Sequence, residues 1–192
     1  LLWRLTAGHT SREEHGQWQH YGSADGIPNL TVRSILRVPD GSKDGALWIG
    51  TWGGYVLRLQ GERFVEVPTP WQKRKEESTS LMLTQGGQLW ASTRTQGIAR
   101  WDGQGWVWMS TGQHAPSRIY GVVMVGQDLW FSTLENGLAR YRAGQWRYFQ
   151  TDIGLPIDAL YDLRLIAENG RKLLWVGSNK HGLMRIDISN PE

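Results

Sequence analysis

One short phrase recurs five times along this chain and limits what it can fold into. Leu-Trp is followed by one residue, then a small residue, then Thr or Ser. The copies are Leu47-Trp48-Ile49-Gly50-Thr51, Leu89-Trp90-Ala91-Ser92-Thr93, Leu129-Trp130-Phe131-Ser132-Thr133 and Leu174-Trp175-Val176-Gly177-Ser178, with Leu2-Trp3-Arg4-Leu5-Thr6 as a degraded first copy. The Trp-to-Trp steps are 45, 42, 40 and 45 residues. A period in this range is the mark of a repeat architecture. Further columns keep the register. Arg58, Arg100, Arg140 and Arg185 each lie seven residues after the Thr or Ser, and Arg12 lies six after Thr6. Six residues after the arginines come Trp18, Phe64, Trp106 and Trp146. Gly97, Gly137 and Gly182 precede their arginines by three, and Tyr55 takes that place after Gly53-Gly54.

Each unit reads as four short strands. In the second copy Val32 to Val38 is β-branched and apolar, and Asp40-Gly41 and Asp44-Gly45 supply turn chemistry. Ala46 to Thr51 follows, with Trp48 and Gly50 on one face and Leu47, Ile49 and Thr51 on the other. Tyr55 to Leu59 and Phe64 to Val67 complete the unit across Gly-containing turns. Such meanders are antiparallel. One four-stranded sheet cannot bury both of its faces, whereas radial stacking does. The expected fold is therefore an all-β propeller of four-stranded antiparallel blades. Buried indoles supply much of the driving force, each covering on the order of 200 Å². The small residue two positions later is expected to leave room for the adjacent blade.

The strand count does not close a ring cleanly. The chain reads as three strands, three full blades, then three strands, about four to five blades of a larger ring. It forms one propeller segment over 1–192, with repeat units near 1–21, 22–67, 80–109, 117–149 and 158–188. The chain opens inside a motif copy without Met, so a longer natural N-terminus is expected. An uncovered end blade would make the isolated chain associate.

Composition narrows the function classes. Cysteine is absent, which removes disulfides, thiol nucleophiles and Cys-ligated metals. No apolar run approaches the ~20 residues of a membrane-spanning helix. A net charge of +3 and a pI near 9.3 would suit nucleic acid. Five of the basic residues, however, are repeat arginines distributed over the blades, so no nucleic-acid partner is expected. The run Gln72-Lys73-Arg74-Lys75-Glu76-Glu77 mixes signs and reads as a solvated loop or short helical turn.

The linkers carry a family resemblance as well. Asp25-Gly26-Ile27-Pro28-Asn29-Leu30-Thr31-Val32-Arg33-Ser34-Ile35, then Leu47-Trp48-Ile49-Gly50-Thr51 and Gly53-Gly54, resembles the two-component regulator propeller repeat. Ile153-Gly154-Leu155-Pro156 repeats the linker, and His114-Ala115-Pro116-Ser117-Arg118-Ile119 is a weaker version. The third unit, Leu81 to Arg100, lacks both the Pro linker and the Asp-Gly turn. The resemblance implies an extracytoplasmic, periplasmic sensor region of a bacterial inner-membrane receptor. Such a region binds a small ligand, an oligosaccharide or a related breakdown product, and relays to a histidine kinase or cyclic-dinucleotide synthase. Membrane association would come only through the parent protein. The expected partners are that ligand and further propeller repeats or a second copy.

Catalytic chemistry is sparse. His9, His15, His20, His114 and His181 show no zinc-ligand spacing with a supporting third ligand. No nucleophile elbow or phosphate loop is present. Asp25, Asp128, Glu135, Asp152 and Asp158 occupy mostly turn positions, and the repeated arginines read as structural. No catalytic residue, metal or cofactor is expected. A ligand site is expected at one mouth of the ring, on the loops between second and third strands. These carry Trp52, Arg94, Gln96, Glu135, Asn136, Asn179, Lys180 and His181, which vary while their flanks repeat. Drift at exposed tips would give the same pattern. Trp52, between Thr51 and Gly53-Gly54, is expected to project and to suit sugar stacking. Three other readings remain: a stand-alone carbohydrate-binding lectin, a propeller enzyme resembling the streptogramin lyases, for which His181 and Glu135 would be the candidates, and a protein-interaction scaffold.

Overall fold

The computed structural model describes residues 2–6, 9–42, 45–110, 116, 118–149, 154–155 and 159–189. Asp44, His114, Ala115, Ser117, Asp152, Ile153, Pro156 and Asp158, named above, lie outside them. The described strands form five antiparallel sheets, each built from one repeat. The first sheet is β1 (Leu2–Thr6), β2 (His9–Glu14) and β3 (Gln17–Tyr21). The second is β4 (Val32–Val38), β5 (Ala46–Thr51), β6 (Val56–Gln60) and β7 (Arg63–Glu66). The third holds β8 (Thr79–Leu83), β9 (Leu89–Thr93), β10 (Ile98–Trp101) and β11 (Trp106–Ser110). The fourth holds β12 (Ile119–Val125), β13 (Asp128–Thr133), β14 (Leu138–Arg142) and β15 (Gln145–Phe149). The fifth is β16 (Leu160–Glu168), β17 (Arg171–Ser178) and β18 (Gly182–Asp187). The expected count of three strands, three full sheets and three strands is met among the described residues. Two compact units are distinguished, Leu1–Leu81 with Arg100–Val107, and Met82–Ala99 with Trp108–Glu192. Within the third sheet β8, β10 and β11 each have residues in both units, and β9 belongs to the second.

In the first unit, period-two alternation sorts β5 between two cores. Leu47 and Ile49 join Tyr21, Ile27, Val32, Leu57 and Phe64 in one apolar cluster. Trp48 faces the other way, 5.1 Å from Trp101 and 6.2 Å from Trp106, and Trp71 lies 5.7 Å from Trp106. The small-residue column acts as expected here. A Cβ on Gly50 would sit 2.5 Å from the Thr79 carbonyl oxygen, and the Ser34 hydroxyl accepts the Leu81 N–H at 2.9 Å. The arginine column is directly cross-strand from the tryptophans: Arg58 pairs with Trp48 and its guanidinium lies 5.6 Å from that ring.

The second unit repeats the logic. Phe131 packs with Trp90, Ile98, Ile119 and Ala139, while Trp130 faces Phe149, Leu160, Leu163 and Leu174. Arg140 pairs with Trp130 and lies 5.7 Å over it. Ser92 donates its hydroxyl to the Ile119 carbonyl at 2.7 Å, so a hydroxyl fills the place that Gly50 leaves empty. Gly121 is also confined, its Cβ position being 2.9 Å from the Leu163 nitrogen. Asp128 is buried and grips Arg142 through two hydrogen bonds of 2.5 Å.

Turn chemistry explains the third repeat, which lacks Asp-Gly. Thr84 takes over: its hydroxyl accepts the Gln88 N–H at 3.1 Å and its carbonyl accepts the Gly87 N–H at 2.9 Å. In the charge run, Glu77 corrects the expectation of a wholly solvated loop, since it is only 1% exposed. Its carbonyl accepts the Gly53 N–H at 2.8 Å, so the linker folds back onto the second repeat. Asp102 closes the β10–β11 turn by accepting the Gln104 and Gly105 N–H groups at 2.9 and 2.8 Å. Those donors, Gln104 foremost, hold its carboxyl below the usual aspartate range. Its stabilising contribution is present above the unfolded pKa of about 3.9 and is lost as pH falls through the lower folded value. Carboxyl-carbon NMR titration is expected to place the Asp102 midpoint below about 3.9; a midpoint at or above that would remove this turn role.

Candidate functional site

Three of the loops joining second to third strands, those after Thr93, Thr133 and Ser178, share a hydrogen-bonded frame, whereas the Thr51 hydroxyl donates to the Trp52 carbonyl at 2.6 Å. Thr93 donates to the Gly97 carbonyl at 3.1 Å and accepts the Gln96 N–H at 2.9 Å. Thr133 donates to the Gly137 carbonyl at 2.9 Å and accepts the Asn136 N–H at 2.9 Å. Ser178 accepts the His181 N–H at 3.1 Å. The repeated Thr or Ser thus caps the strand and shapes the loop, a hydroxyl turn in place of an Asx turn. A second tie joins the loops of the second, fourth and fifth sheets to the linker entering the same sheet. The N–H groups of Trp52, Leu134 and Asn179 donate to the carbonyls of Thr31, Arg118 and Ala159 at 2.9, 3.1 and 3.0 Å. Loops and linkers therefore emerge at the same end of these sheets.

Seven of the eight predicted site residues belong to the second unit. Arg94 and Gln96 are half-buried, and so is Asn136. Glu135 is exposed and forms an ion pair with Arg118 at 2.7 Å. Asn179, Lys180 and His181 are exposed on the β17–β18 loop. The structure sets these three loops on three successive repeats, and Glu135 is held by a linker residue of its own repeat. Among the described residues, no group of three or more His, Asp or Glu could hold a metal.

Trp52, in the first unit, differs from its expected exposure. Its indole is half-buried, Arg33 lies 5.7 Å from the ring, and its backbone bridges to Ser78. The neighbouring glycines serve close packing. A Cβ on Gly53 would come within 2.8 Å of the Leu30 side chain, and Gly54, at φ +84°, lies against Glu77, Lys73 and Trp71. The Trp71 indole N–H donates to the Gly54 carbonyl at 2.8 Å. Lys73 reaches over the Tyr55 ring, 4.8 Å from its centroid, and pairs with Glu66.

Sequence reasoning missed a second set of residues at this end. The innermost strands slip register once each, between Val32 and Ser34, Ile119 and Gly121, and Leu160 and Asp162. Bulges of this kind re-aim a side chain. The extra residues are Arg33, Tyr120 and Tyr161. In the second unit the Tyr120 and Tyr161 rings are 5.4 Å apart, and Tyr161 is exposed. The available signal was a bulky polar or aromatic residue interrupting an alternating strand, but a bulge becomes definite only once the partner strand's register is known.

Comparison with known proteins fixes the fold. No family model matches the chain, and no curated protein matches it. Among solved structures, the chain is similar to the extracellular domain assigned to the one-component system BT4673 of B. thetaiotaomicron. The TM-score is 0.73 at 18% identity, over 96% of this chain and 26% of that one. A second structure, of the extracellular domain assigned to BT4673 as a hybrid two-component system, gives 0.69 at 18% identity over 92% and 24%. PorZ, a bacterial surface component of the type-IX secretion system of Porphyromonas gingivalis, gives 0.68 at 14% identity over 98% and 30%. The chain thus spans about a quarter to three tenths of these structures and carries their propeller fold, the one expected from the regulator-propeller resemblance.

Proposed function

We propose that this chain is part of the extracytoplasmic, ligand-sensing propeller of a bacterial signalling receptor. The observation that carries the reading is the constant frame under variable tips. Thr93, Thr133 and Ser178 hold three loops in one shape, while the tips change from Arg94/Gln96 to Glu135/Asn136 to Asn179/Lys180/His181. A scaffold that keeps its geometry and changes its chemistry at one end supports selective binding. The fold shared with extracellular domains of BT4673 supports an extracytoplasmic place, in the periplasm of the parent cell. The ligand is a small polar molecule of the oligosaccharide class, its ring faces meeting Tyr120 and Tyr161 and its hydroxyls meeting the tips. The segment transmits binding to a kinase or cyclase module and performs no chemistry itself.

Further repeats of the same kind are its proposed neighbours. Trp48, Trp90 and Trp130 are 2–3% exposed, whereas Trp175 is only half-buried. A Cβ on Gly177 would meet nothing nearer than Asp162 of its own sheet, at 3.8 Å, and Leu183 on that face is 67% exposed. This face has the pattern that another repeat covers elsewhere.

The test is calorimetric titration of the parent extracytoplasmic region against oligosaccharides. Glu135→Ala, Asn136→Ala and His181→Ala are each expected to weaken binding about tenfold or more, with the thermal midpoint nearly unchanged. Unchanged affinity in all three would reject the tips as the site. A second reading, a surface scaffold without a small ligand, draws on the comparable likeness to PorZ. Absence of any oligosaccharide binding in the intact parent region would favour it.

A further inference from the structure

We propose that a cleft in the first unit is an oxyanion-binding site. It lies at the opposite end of β5 and β6 from the Trp52 loop, beside Gly45 and Gly61, and has a volume of about 300 Å³. The sensor reading is not needed for it. Its walls carry Trp3, Arg12, Glu14, Arg37, Asp40 and Arg58. Three guanidinium groups face two carboxylates, an excess of one positive charge.

The hydrogen bonding of Arg12 and Arg58 is incomplete. Arg12 uses Nη2 to reach Gln19 at 3.1 Å and Glu14 at 2.9 Å. Arg58 uses Nη2 to reach Asp40 at 3.1 Å. In both, the buried Nε–H has no acceptor, and the buried Trp3 Nε1–H has none either. A buried donor left unmet is costly and calls for a partner. A guanidinium grips an oxyanion best through its Nε–H and Nη–H edge, with two parallel bonds. Neither carboxylate here engages that edge. The side chains of Arg12 and Arg58 are 29% and 36% exposed, so both guanidinium groups can be reached from the cleft they line. Sulfate, phosphate or a carboxylate has enough acceptor oxygens to meet several such donors at once.

Asp40 and Glu14 are the competing anions, and that gives the proposal its sharpest test. Calorimetry of this chain with sodium sulfate, against sodium chloride at matched ionic strength, is expected to show saturable heat with sulfate only. Arg37→Ala is expected to raise the apparent Kd about tenfold, the loss of one charge-assisted contact. Asp40→Asn should tighten sulfate binding severalfold even though it breaks the ion pair with Arg58; a merely structural role for these residues predicts no such gain. Sulfate also stabilises proteins by exclusion from their surface, without saturation. A linear, unsaturable response that Arg37→Ala leaves unchanged overturns the site, as does Asp40→Asn without tightening. Glucuronate then separates the sources. Displacement of bound sulfate assigns the pocket to an acid group carried on a sugar, and failure to displace it assigns the pocket to free inorganic oxyanion.

Discussion

Trp71→Ala is expected to be the most damaging single substitution in the first unit, at about 3–5 kcal/mol. Trp71 is 4% exposed and lies outside every strand, in the linker after β7. Its indole packs 5.7 Å from Trp106, and Trp106 in turn lies 5.3 Å from Trp101, so one ring ties the linker to an aromatic cluster. Its N–H also holds the Gly54 carbonyl at 2.8 Å. Truncation removes the ring contacts, opens a large cavity and takes the donor from a buried carbonyl. Trp71→Phe separates the two effects: it keeps most of the ring contact and loses the hydrogen bond, at about 1–3 kcal/mol. Urea unfolding of both variants measures the difference. A loss below about 1 kcal/mol for Trp71→Ala would mean that the linker can leave the β5–β6 loop without consequence. A large loss would show that the linker is held on the β5–β6 loop by a residue 17 positions beyond Gly54.

Gly50→Val is expected to destabilise by about 1–3 kcal/mol or somewhat more, whereas Gly177→Val should stay within about 0.5 kcal/mol. Both glycines occupy the same column of the repeat. At Gly50 the new Cβ would meet the Thr79 backbone oxygen at 2.5 Å, and a backbone carbonyl within a sheet cannot step aside as a flexible side chain can. At Gly177 the nearest atoms are at 3.8 and 4.0 Å, ordinary contact distances. The valine there has room, and its β propensity favours the strand. Thermal or urea melts of the two variants in this chain provide the comparison. Equal losses would show that the Gly177 face is already covered in solution. If a further repeat covers Gly177 as proposed, the two substitutions should converge in a protein that contains that repeat, because it would press on Gly177 as Thr79 presses on Gly50.

Much of this was readable from the chain alone. The repeated Leu-Trp phrase located β1 and the second strand of every later sheet, and alternation placed Trp48 and Ile49 on opposite faces. Arg58 and Arg140 could be read as structural because they recur, and both lie against their cross-strand tryptophans. The site was legible only as a set of variable positions between a constant Thr or Ser and a constant Gly. That the hydroxyl itself builds the loop, through Thr93 and Thr133, needed coordinates. So did the bulges that add Arg33, Tyr120 and Tyr161, and the burial of Glu77 within a run of charges.

The division has a physical cause. Period, alternation and turn chemistry are properties of neighbouring residues, governed by backbone sterics and by which side of a pleat each Cβ leaves. They determined strands, faces and repeat number without reference to anything distant. Tertiary structure decided where distant segments come to rest: the 68–78 linker over Gly53-Gly54, Thr79 over Gly50, and Arg12 beside Arg58. Those outcomes depend on van der Waals fit and hydrogen-bond partners brought together across long stretches of chain, which no local pattern encodes. For that reason Trp52 looked free in the sequence and is half-buried in the fold.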